Sequence, residues 1–290
     1  MTEAPPPDRS EPSRWSDLDR PALDEAALAA ALVRGSRLWR RVEVVAEVGS
    51  TNADLAAAAA AGAPDGSVLV AEHQGAGRGR LDRTWISPPR AGLTVSLLVR
   101  PDVPAGRRSW LPLLAGVALA ESVGAVNGVP TWLKWPNDLL TLDGRKLAGI
   151  LAESVSSPDR PAAVVVGVGL NVSTRADELP PTGTSLAQVT GAPVDRGPVL
   201  LEFLRAFERR YLPWVEALGD PVASGLAQDY TSWCSTVGAE VGVSLPDGST
   251  LTGVAEGVDW DGRLVVRTAG GSVPLAAGDV THVRSAGERT

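Results

Sequence analysis

The residues best suited to chemistry in this chain lie in the segment Thr131–Asp138. Its composition is that of a buried strand, yet it carries Lys134, Asn137 and Asp138. Lys146 follows shortly afterwards, at the head of a second apolar run. Burying a neutral amide without a hydrogen bond costs roughly 2 to 7 kcal/mol, and burying an isolated charge costs more. A fold keeps such groups inside only when they bind one another or a ligand, so the segment predicts a ligand site.

A glycine-rich loop is the second candidate. The strand-like run Ser67–Glu72 leads into His73–Trp85, which contains Arg78, Arg80 and Arg83. A dinucleotide-binding turn would require a helix to begin at the last glycine, with its N-terminus facing a pyrophosphate. The residues that follow are typical of a loop instead, so the arginines themselves must compensate an anion. A guanidinium group binds phosphate or carboxylate through two parallel hydrogen bonds, and charge-assisted bonds contribute about 1.5 to 3 kcal/mol each. A solvated basic loop is the alternative if the loop is considered alone.

Together these motifs resemble one family. The run KWPND at Lys134–Asp138, the run KLAGIL at Lys146–Leu151 and the GRGR of the arginine loop resemble the biotin protein ligases, which activate biotin with ATP and attach it to a lysine of a carrier protein. The resemblance spans roughly Arg37 to Arg284, and KWPND is its most specific part. One departure is Asp82, which stands where the family pattern has a glycine after GRGR.

The segment Ser50–Asn52 precedes an alanine-rich helix, so simple N-capping accounts for it. The resemblance instead implies a biotin pocket at this place, since hydroxyl and amide groups supply the donors and acceptors that a cyclic urea needs. Gln74 matches a further family contact. The biotin-binding residues implied by the resemblance are Ser50, Thr51, Asn52, Gln74, Gly77, Arg78, Lys146, Gly149 and Gly169.

The run Ala162–Val172 is apolar and β-branched, which predicts a central strand. Its glycines would let the backbone approach a flat ligand, although a buried strand without a ligand fits equally well. The resemblance assigns Gly169 to the biotin pocket and Asn171 to the nucleotide. It also implies that the loop Ser173–Ser185 closes over the adenylate. That loop has no aromatic residue, so Trp85 is the nearest candidate for stacking on adenine.

The family reaction joins two anions, so the protein must stabilise charge on phosphoryl oxygens. The resemblance gives this work to Lys146, Arg78 and Arg80. Asp138 would help bind Mg²⁺ or orient the incoming lysine, and the sequence leaves both roles open. The residues expected to contact ATP or the adenylate are Arg78, Arg80, Arg83, Trp85, Lys134, Asn137, Asp138, Lys146 and Asn171. Biotin and ATP are then substrates, and Mg²⁺ is carried on the phosphates without a dedicated metal site.

Composition limits the other possibilities. A formal net charge of −7 argues against general nucleic-acid affinity. The single cysteine, Cys234, excludes an internal disulfide framework. The most apolar stretch, Trp110–Ala120, is too short to span a bilayer, and residues 1 to 20 lack a secretory signal. We therefore expect a cytoplasmic protein whose partner is the biotin carboxyl carrier domain of a carboxylase, with no nucleic-acid or membrane partner.

The order of motifs predicts two folded units after a disordered tail at residues 1–20. Residues 21–235 form an α+β catalytic domain with a mixed sheet covered by helices, and the resemblance implies the fold shared with class II aminoacyl-tRNA synthetases. Residues 236–290 read as short strands with Asp-Gly turns at Asp247 and Asp261, which resembles the family's small SH3-like barrel. Only one helix, Pro21–Val33, fits before the first strand, so we expect no helix-turn-helix module.

Three rival functions follow. A hydrolase lacks support because the chain has no G-x-S-x-G motif. A lipoate-protein ligase shares fold and chemistry with the family, but KWPND with Ser50–Asn52 favours biotin. A non-catalytic sensor of biotin or nucleotide would not need Lys146 and the loop arginines.

Overall fold

The computed structural model describes residues 20–80, 83–157, 160–245, 248–276 and 278–282. The predictions for the tail at 1–19 and for the turn residues Asp82 and Asp247 fall outside these ranges. The helices are α1 (Glu25–Leu32), α2 (Thr51–Ala61), α3 (Leu111–Asn127), α4 (Leu186–Thr190), α5 (Arg196–Glu216) and α6 (Leu226–Trp233). The strands are β1 (Arg41–Val45), β2 (Ser67–Ala71), β3 (Gly92–Val99), β4 (Thr131–Lys134), β5 (Asp138–Thr141), β6 (Lys146–Ser157), β7 (Arg160–Asn171), β8 (Glu240–Ser244), β9 (Thr250–Val258), β10 (Leu264–Thr268), β11 (Gly271–Leu275) and β12 (Asp279–His282).

Seven strands form one sheet in the order β1-β2-β3-β7-β6-β5-β4. The β1–β2 pair is parallel, and the other neighbours are antiparallel. The prediction of an α+β fold with a mixed sheet is therefore confirmed. The long central strands β6 and β7 are the ones predicted from the apolar runs that contain the glycines.

Alternate residues of the central strands face opposite sides of this sheet, as the two-residue period of a strand requires. On β7, Val164, Val166 and Val168 join the main hydrophobic core, while Val165 packs in a smaller cluster with Leu55 of α2. We call the first side, which α3 and α5 cover, the core face. We call the other side, which α2 covers in part, the site face.

The helix in the middle of the core face is longer than its apolar stretch. A 3₁₀ turn at Ala105–Trp110 continues into α3, which gives an apolar helix of 23 residues over Ala105–Asn127, long enough to span a bilayer. The prediction that this stretch is too short to span a membrane is therefore wrong as to length. Its most apolar window is 67% buried within the protein, which is the condition of a core helix.

The segment Thr131–Asp138 forms β4 and the start of β5 instead of one buried strand. Strand β4 ends at Lys134, the Trp135–Pro136 peptide bond is cis, and β5 begins at Asp138. Lys134 and Asp138 are cross-strand partners in the resulting hairpin. The turn therefore brings the polar residues of the motif to one end of the sheet, while the side chain of Trp135 is buried beneath it.

The last five strands form a separate antiparallel sheet in the order β11-β10-β9-β8-β12. It packs against the first unit through buried indole groups. Trp110 Nε1 donates a hydrogen bond to Trp260 O at 3.0 Å, and Trp135 Nε1 donates to Gly262 O at 3.2 Å. This contact fixes β12 beside the KWPND turn.

Candidate active site

A cavity of about 450 Å³ lies on the site face, at the end of the sheet that α2 leaves uncovered. It is bounded by the first turn of α2, the arginine loop, the KWPND turn, the strands β6 and β7, the loop Ser173–Ser185 and the start of β12. Its lining residues are Ser50, Thr51, Asn52, Gln74, Arg78, Gly79, Arg80, Arg83, Thr84, Trp85, Lys134, Asn137, Asp138, Lys146, Gly149, Ile150, Leu151, Gly167, Val168, Gly169, Pro180, Thr182, Asp279, Val280 and Thr281.

The floor of the cavity is a strip of glycines. Gly149 on β6 and Gly169 on β7 are cross-strand partners, and Gly167 lies two residues before Gly169. A Cβ atom added at Gly169 would collide with the indole of Trp85, and one at Gly167 would collide with the amide of Asn52. These strand glycines are therefore explained by close approach of other groups to the backbone.

The indole of Trp85 forms a roof over this floor. Its Nε1 atom is buried and has no hydrogen-bond partner among the described residues. Leaving a buried donor unpaired costs about 1 to 3 kcal/mol, so an acceptor on a bound ligand would be favoured at this point. Lys146 Nζ lies 5.8 Å from the centroid of the same ring. The roof thus combines an apolar ring, a donor and a cation.

The polar wall begins where α2 begins. Ser50 Oγ accepts from Ala53 N and so caps the helix, while the same residue lines the cavity. The backbone N and Oγ1 of Thr51 both donate to Gln74 Oε1, at 2.8 and 2.9 Å. The start of α2 therefore both caps the helix and lines the cavity, so the two explanations of Ser50–Asn52 hold together.

Asn52 has its hydrogen-bonding capacity used by the protein. Its Nδ2 atom donates to Leu151 O at 3.2 Å and to Glu153 Oε2 at 2.7 Å, and its Oδ1 atom accepts from Ser96 Oγ at 2.6 Å. Both N–H donors are occupied, whereas the oxygen, which has two lone pairs, accepts one hydrogen bond. Asn52 therefore shapes the cavity beside Gly167, and it could donate to biotin only by exchanging one of these partners.

Most of the cationic groups are held by carboxylates. Lys146 Nζ lies 2.6 Å from Asp138 Oδ1, and the two side chains are 34% and 22% exposed. Arg78 lies 3.2 Å from Glu153. These partly exposed pairs contribute little stability by themselves. Their effect is to keep each cation at the cavity in a defined place when no anionic ligand is bound.

The remaining arginines connect the loop to the second sheet. Arg83 donates a hydrogen bond to Asp279 and forms an ion pair with it. This bond lowers the pKa of Asp279, and the smaller effect of burial opposes the shift. Arg80 contacts Asn137 Oδ1 and Gly278 O at 3.4 and 3.5 Å. Burial lowers the pKa of Arg80, and the nearby charge of Asp138 opposes this shift.

The loop Ser173–Ser185 closes one side of the cavity with Pro180 and Thr182. Its end is tied to the first residue of β6, because Lys146 N donates to Thr182 O at 2.8 Å and Thr184 N donates to Lys146 O at 2.9 Å. The backbone of Lys146 is thereby fixed from two sides, by β5 and by this loop. The loop is thus part of the support of the lysine.

The structure brings all but two of the expected site residues to the cavity. Asn171 is buried outside it and donates to Thr184 O at 3.0 Å, so it supports the loop in the described structure. Gly77 lies behind the indole, where Trp85 N donates to Gly77 O at 2.9 Å and a Cβ would collide with the Trp85 carbonyl. Both residues shape neighbours of the cavity and do not line it.

Several lining or supporting residues escaped the sequence reasoning. Gly167 carried the same signal as Gly169 and could have been found from the strand period. Glu153 stands on the site face of β6, four residues after Gly149, so the same period offered a weak signal. Asp279 gave no signal, because its role depends on how the second sheet packs against the first.

The arrangement suits the activation of a carboxylic acid. An apolar indole packed on a glycine strip beside a polar wall can hold an uncharged ring system, while Lys146, Arg78 and Arg80 face the place where two anions would meet. Preorganised cations at that place stabilise charge that develops on phosphoryl oxygens. Among the described residues, no group of three metal-ligating side chains comes together.

Two family models match the chain, that of the biotin/lipoate A/B protein ligase family over residues 48–171 and that of the biotin protein ligase C terminal domain over residues 236–283. The chain is 46% identical over 270 residues to a biotin--[acetyl-CoA-carboxylase] ligase of Mycobacterium tuberculosis, which covers 91% of this chain and 97% of that protein. It is 35% identical over 222 residues to a bifunctional ligase/repressor BirA of Bacillus subtilis, which covers 75% of this chain and 66% of that protein. Among solved structures it resembles a biotin protein ligase from Aquifex aeolicus in complex with biotin and ATP, with a TM-score of 0.69, 29% identity and coverage of 85% of this chain and 100% of that one.

Proposed function

The chain belongs to the biotin protein ligase family, and we propose that it activates biotin with ATP and transfers it to a lysine of the biotin carboxyl carrier domain of a carboxylase. The observation that carries this proposal is the convergence of Lys146, Arg78 and Arg80 beside a glycine floor in one cavity. The family model for the first unit covers both biotin and lipoate ligases, whereas the model for the second unit is specific to biotin ligases. The match to both supports biotin over lipoate.

In the first step, a carboxylate oxygen of biotin forms a bond to the α-phosphorus of ATP. The bond from that phosphorus to the oxygen bridging the β-phosphate breaks, so biotinyl-adenylate and pyrophosphate are formed. Lys146 stands at the junction of the two anions, where Asp138 orients it in the free protein. Arg78 and Arg80 are placed to compensate the phosphates, each exchanging a protein partner for a phosphoryl oxygen.

In the second step, the amine of the carrier lysine attacks the acyl carbon of the adenylate, and the bond from that carbon to the phosphate oxygen breaks. AMP leaves, and the nitrogen loses a proton as the amide forms. No covalent bond to the enzyme is needed. Asp138 lines the cavity beside Lys146, and we assign to it the orientation of the incoming amine.

The polar wall and the glycine floor are proposed to hold biotin. Ser50, Thr51 and Gln74 offer hydroxyl and amide groups towards the ureido ring, while the indole of Trp85, which lies directly on Gly149 and Gly169, offers an apolar surface to the ring system. Nucleotide contacts are proposed for Arg83, Lys134, Asn137 and Asp138, all of which line the same cavity. The proposed sets of residues thus meet at Lys146.

Mg²⁺ fits this site as a companion of ATP. The carboxylates of Asp138 and Asp279 are hard oxygen donors of the kind that Mg²⁺ prefers, but two such groups do not form a complete protein cage. The ion would therefore be carried on the phosphates, where it neutralises part of their charge. The steps assigned to the protein side chains do not depend on its position.

We further propose that residues 21–235 act as the catalytic domain and residues 236–290 as a separate C-terminal domain, which the family match over 236–283 supports. Cytoplasmic residence accords with the need for ATP, and we propose no membrane partner. Operator binding is not proposed either, because a formal net charge of −7 disfavours binding to a phosphate backbone. A mobility-shift titration with biotin and ATP present would contradict this if one fragment were retained over competitor DNA.

The proposed activity is tested by incubating the protein with ATP, Mg²⁺, biotin and a purified biotin carboxyl carrier domain, followed by mass spectrometry of the carrier. We expect a gain of one biotin, and no gain when the acceptor lysine is replaced by arginine. Equal modification with lipoate would support the rival ligase. Binding of biotin without adenylate formation or transfer would support a sensor and contradict the proposal.

A further inference from the structure

The first described residues of the chain contact the loop that closes the cavity. Arg20 Nη2 donates to Glu178 Oε2 at 2.6 Å and to Ser173 O at 3.2 Å. The two side chains are 12% and 16% exposed, so the ion pair is largely shielded from solvent. Arg20 therefore links a segment near the start of the chain to a loop more than 150 residues later.

The segment Arg20–Leu23, which we call the strap, is attached to the sheet independently of that loop. Arg196, at the start of α5, donates to Pro21 O at 2.6 Å and pairs with Glu72 at 2.7 Å, and Arg196 is 3% exposed. Glu72 Oε1 also accepts from Leu23 N at 2.7 Å. The strap is thus fixed to the residue after β2 and to the first residue of α5, independently of its contact with the loop.

On the loop side, Glu178 collects several donors. It accepts from Arg20, from Arg175 N at 2.9 Å and from Arg175 Nη2 at 2.7 Å. Burial opposes its ionisation, but these donors, with Arg20 the strongest, lower the pKa of Glu178 below its usual value. Glu178 is charged at neutral pH and anchors the 3₁₀ turn Ala176–Glu178 that precedes Pro180.

The same loop reaches the reacting groups within a few residues. Pro180 and Thr182 line the cavity, and Thr182 and Thr184 pair with the backbone of Lys146. A continuous series of contacts therefore runs from the buried Glu72–Arg196 pair through the strap and Glu178 to the wall of the cavity beside Lys146.

We propose that Arg20 is a positioning residue that holds the loop Ser173–Ser185 closed over the adenylate. The inference rests on the proposed function and adds to it a residue outside both family-model matches, which begin at residue 48. A loop must lose conformational freedom to close over a ligand, and a loop that is already held loses less on binding. Arg20 contributes by fixing the loop before the ligand arrives, so its loss acts on retention of the ligand more than on chemistry.

The test compares R20A with R20K and with the matched control R175A. Arg175 pairs with the same carboxylate, but it is 66% exposed and its contact stays within the loop. We measure the rate of biotinyl-adenylate dissociation in the absence of carrier, the KM for ATP, the single-turnover rate at saturating ATP and the thermal midpoint. We expect R20A to dissociate adenylate about tenfold faster, which corresponds to about 1.4 kcal/mol, since the loop loses the charge-assisted bond that holds it in place.

In R20A the KM for ATP should rise, while the single-turnover rate at saturation stays within about twofold of wild type and R20K restores most of the retention. R175A should stay within about twofold of wild type throughout. Unchanged dissociation in R20A, or an equal effect in R175A, would overturn the proposal. If R20A does not fold, E178Q takes its place, because it keeps an acceptor for Arg175 N while removing the charge that Arg20 pairs with.

Failure of the proposed function is recognised separately. A wild-type protein that forms no adenylate from biotin and ATP contradicts the ligase assignment, whatever the variants do. If the wild-type protein forms adenylate and loses it at the same rate as R20A, the ligase assignment stands. In that case Arg20 has no role in retaining the adenylate.

Discussion

The two faces of the seven-stranded sheet are built from alternate residues of the same strands, yet they differ in almost every property. On the core face, Val164, Val166 and Val168 of β7 meet α3 and α5 in one apolar core. On the site face of the same strand, Val165 packs on α2, and Gly167 and Gly169 then line the cavity. This face of β7 therefore changes from valine to glycine beside the first turn of α2, where the cavity lies.

This contrast shows that the cavity lies where one face of the sheet is left uncovered by a helix. A strand face must be covered by an element or a ligand, because its apolar and peptide groups are otherwise left partly exposed. Helix α2 begins at Thr51, so its first turn serves both as a helix N-terminus and as the wall of the cavity. The core face is expected to govern stability, and the site face is expected to govern binding and chemistry.

The largest effect expected on the site face comes from K146A. Removing a preorganised cation that stabilises developing charge costs about 100- to 1000-fold in rate, so adenylate formation should fall by that factor or more while the thermal midpoint barely changes. Biotin-dependent pyrophosphate release measures it. The control is R41A, which removes an exposed arginine of β1 that pairs with Glu43 away from the cavity and should retain near wild-type activity. Near wild-type release in K146A would refute the assignment of this lysine.

The opposite result is expected on the core face from L97A. Leu97 is fully buried there, and truncation of a buried leucine to alanine costs about 2 to 5 kcal/mol of unfolding free energy. Chemical denaturation should show this loss, while the activity per folded molecule remains within about twofold of wild type. A selective loss of biotin affinity without a loss of stability would contradict the division between the two faces.

A smaller effect is expected from G169A, which adds one carbon to the floor. The new Cβ would collide with the Trp85 indole, so either the ring moves or the strand shifts. Biotin affinity should fall about 10- to 100-fold, comparable to the 1 to 3 kcal/mol cost of overpacking, as titration calorimetry would record. The control is G242A in β8, where an added Cβ meets nothing within 4 Å. Equal affinity in wild type and G169A would show that the ligand does not lie on this floor.

The smallest effect is expected at the junction of the two sheets. Asp279 has a pKa below its usual value because Arg83 donates to it, so the pair stabilises the folded state above the ordinary aspartate pKa and loses that contribution as the pH falls through the lowered value. Both groups are substantially exposed, so D279N should change stability at neutral pH by no more than about 1 kcal/mol. The difference from wild type should shrink below about pH 4. A difference that grows on acidification would contradict the assigned sign.

The sequence predicted the elements that local pattern determines. The apolar runs located β2 and β7 to within a residue or two, and the motifs located the end of the sheet where polar groups gather. It did not predict the carboxylates that hold the arginines. The strand period gave only a weak signal for Glu153, and Asp279 gave none because its place depends on the docking of a second sheet. The second strand of the KWPND hairpin, β5, was missed because it has only four residues and follows the turn directly.

The apolar stretch Trp110–Ala120 covers only part of the helix at the middle of the core face. The helical residues extend from Ala105 to Asn127, and the 3₁₀ turn at their start contains arginines that carry no apolar signal. Asn171 was assigned to the nucleotide from its place after the glycines, whereas its amide supports Thr184 of the closing loop. In both cases tertiary contacts decide what the local pattern leaves open.

The most direct test of the site-face assignment is exchange of labelled pyrophosphate into ATP in the presence of Mg²⁺ and each acid in turn. The assignment predicts rapid exchange with biotin, little exchange with lipoate, loss of exchange in K146A and full exchange, per folded molecule, in L97A. Exchange that does not require biotin, or that persists in K146A, would contradict the claim that this face of the sheet activates biotin.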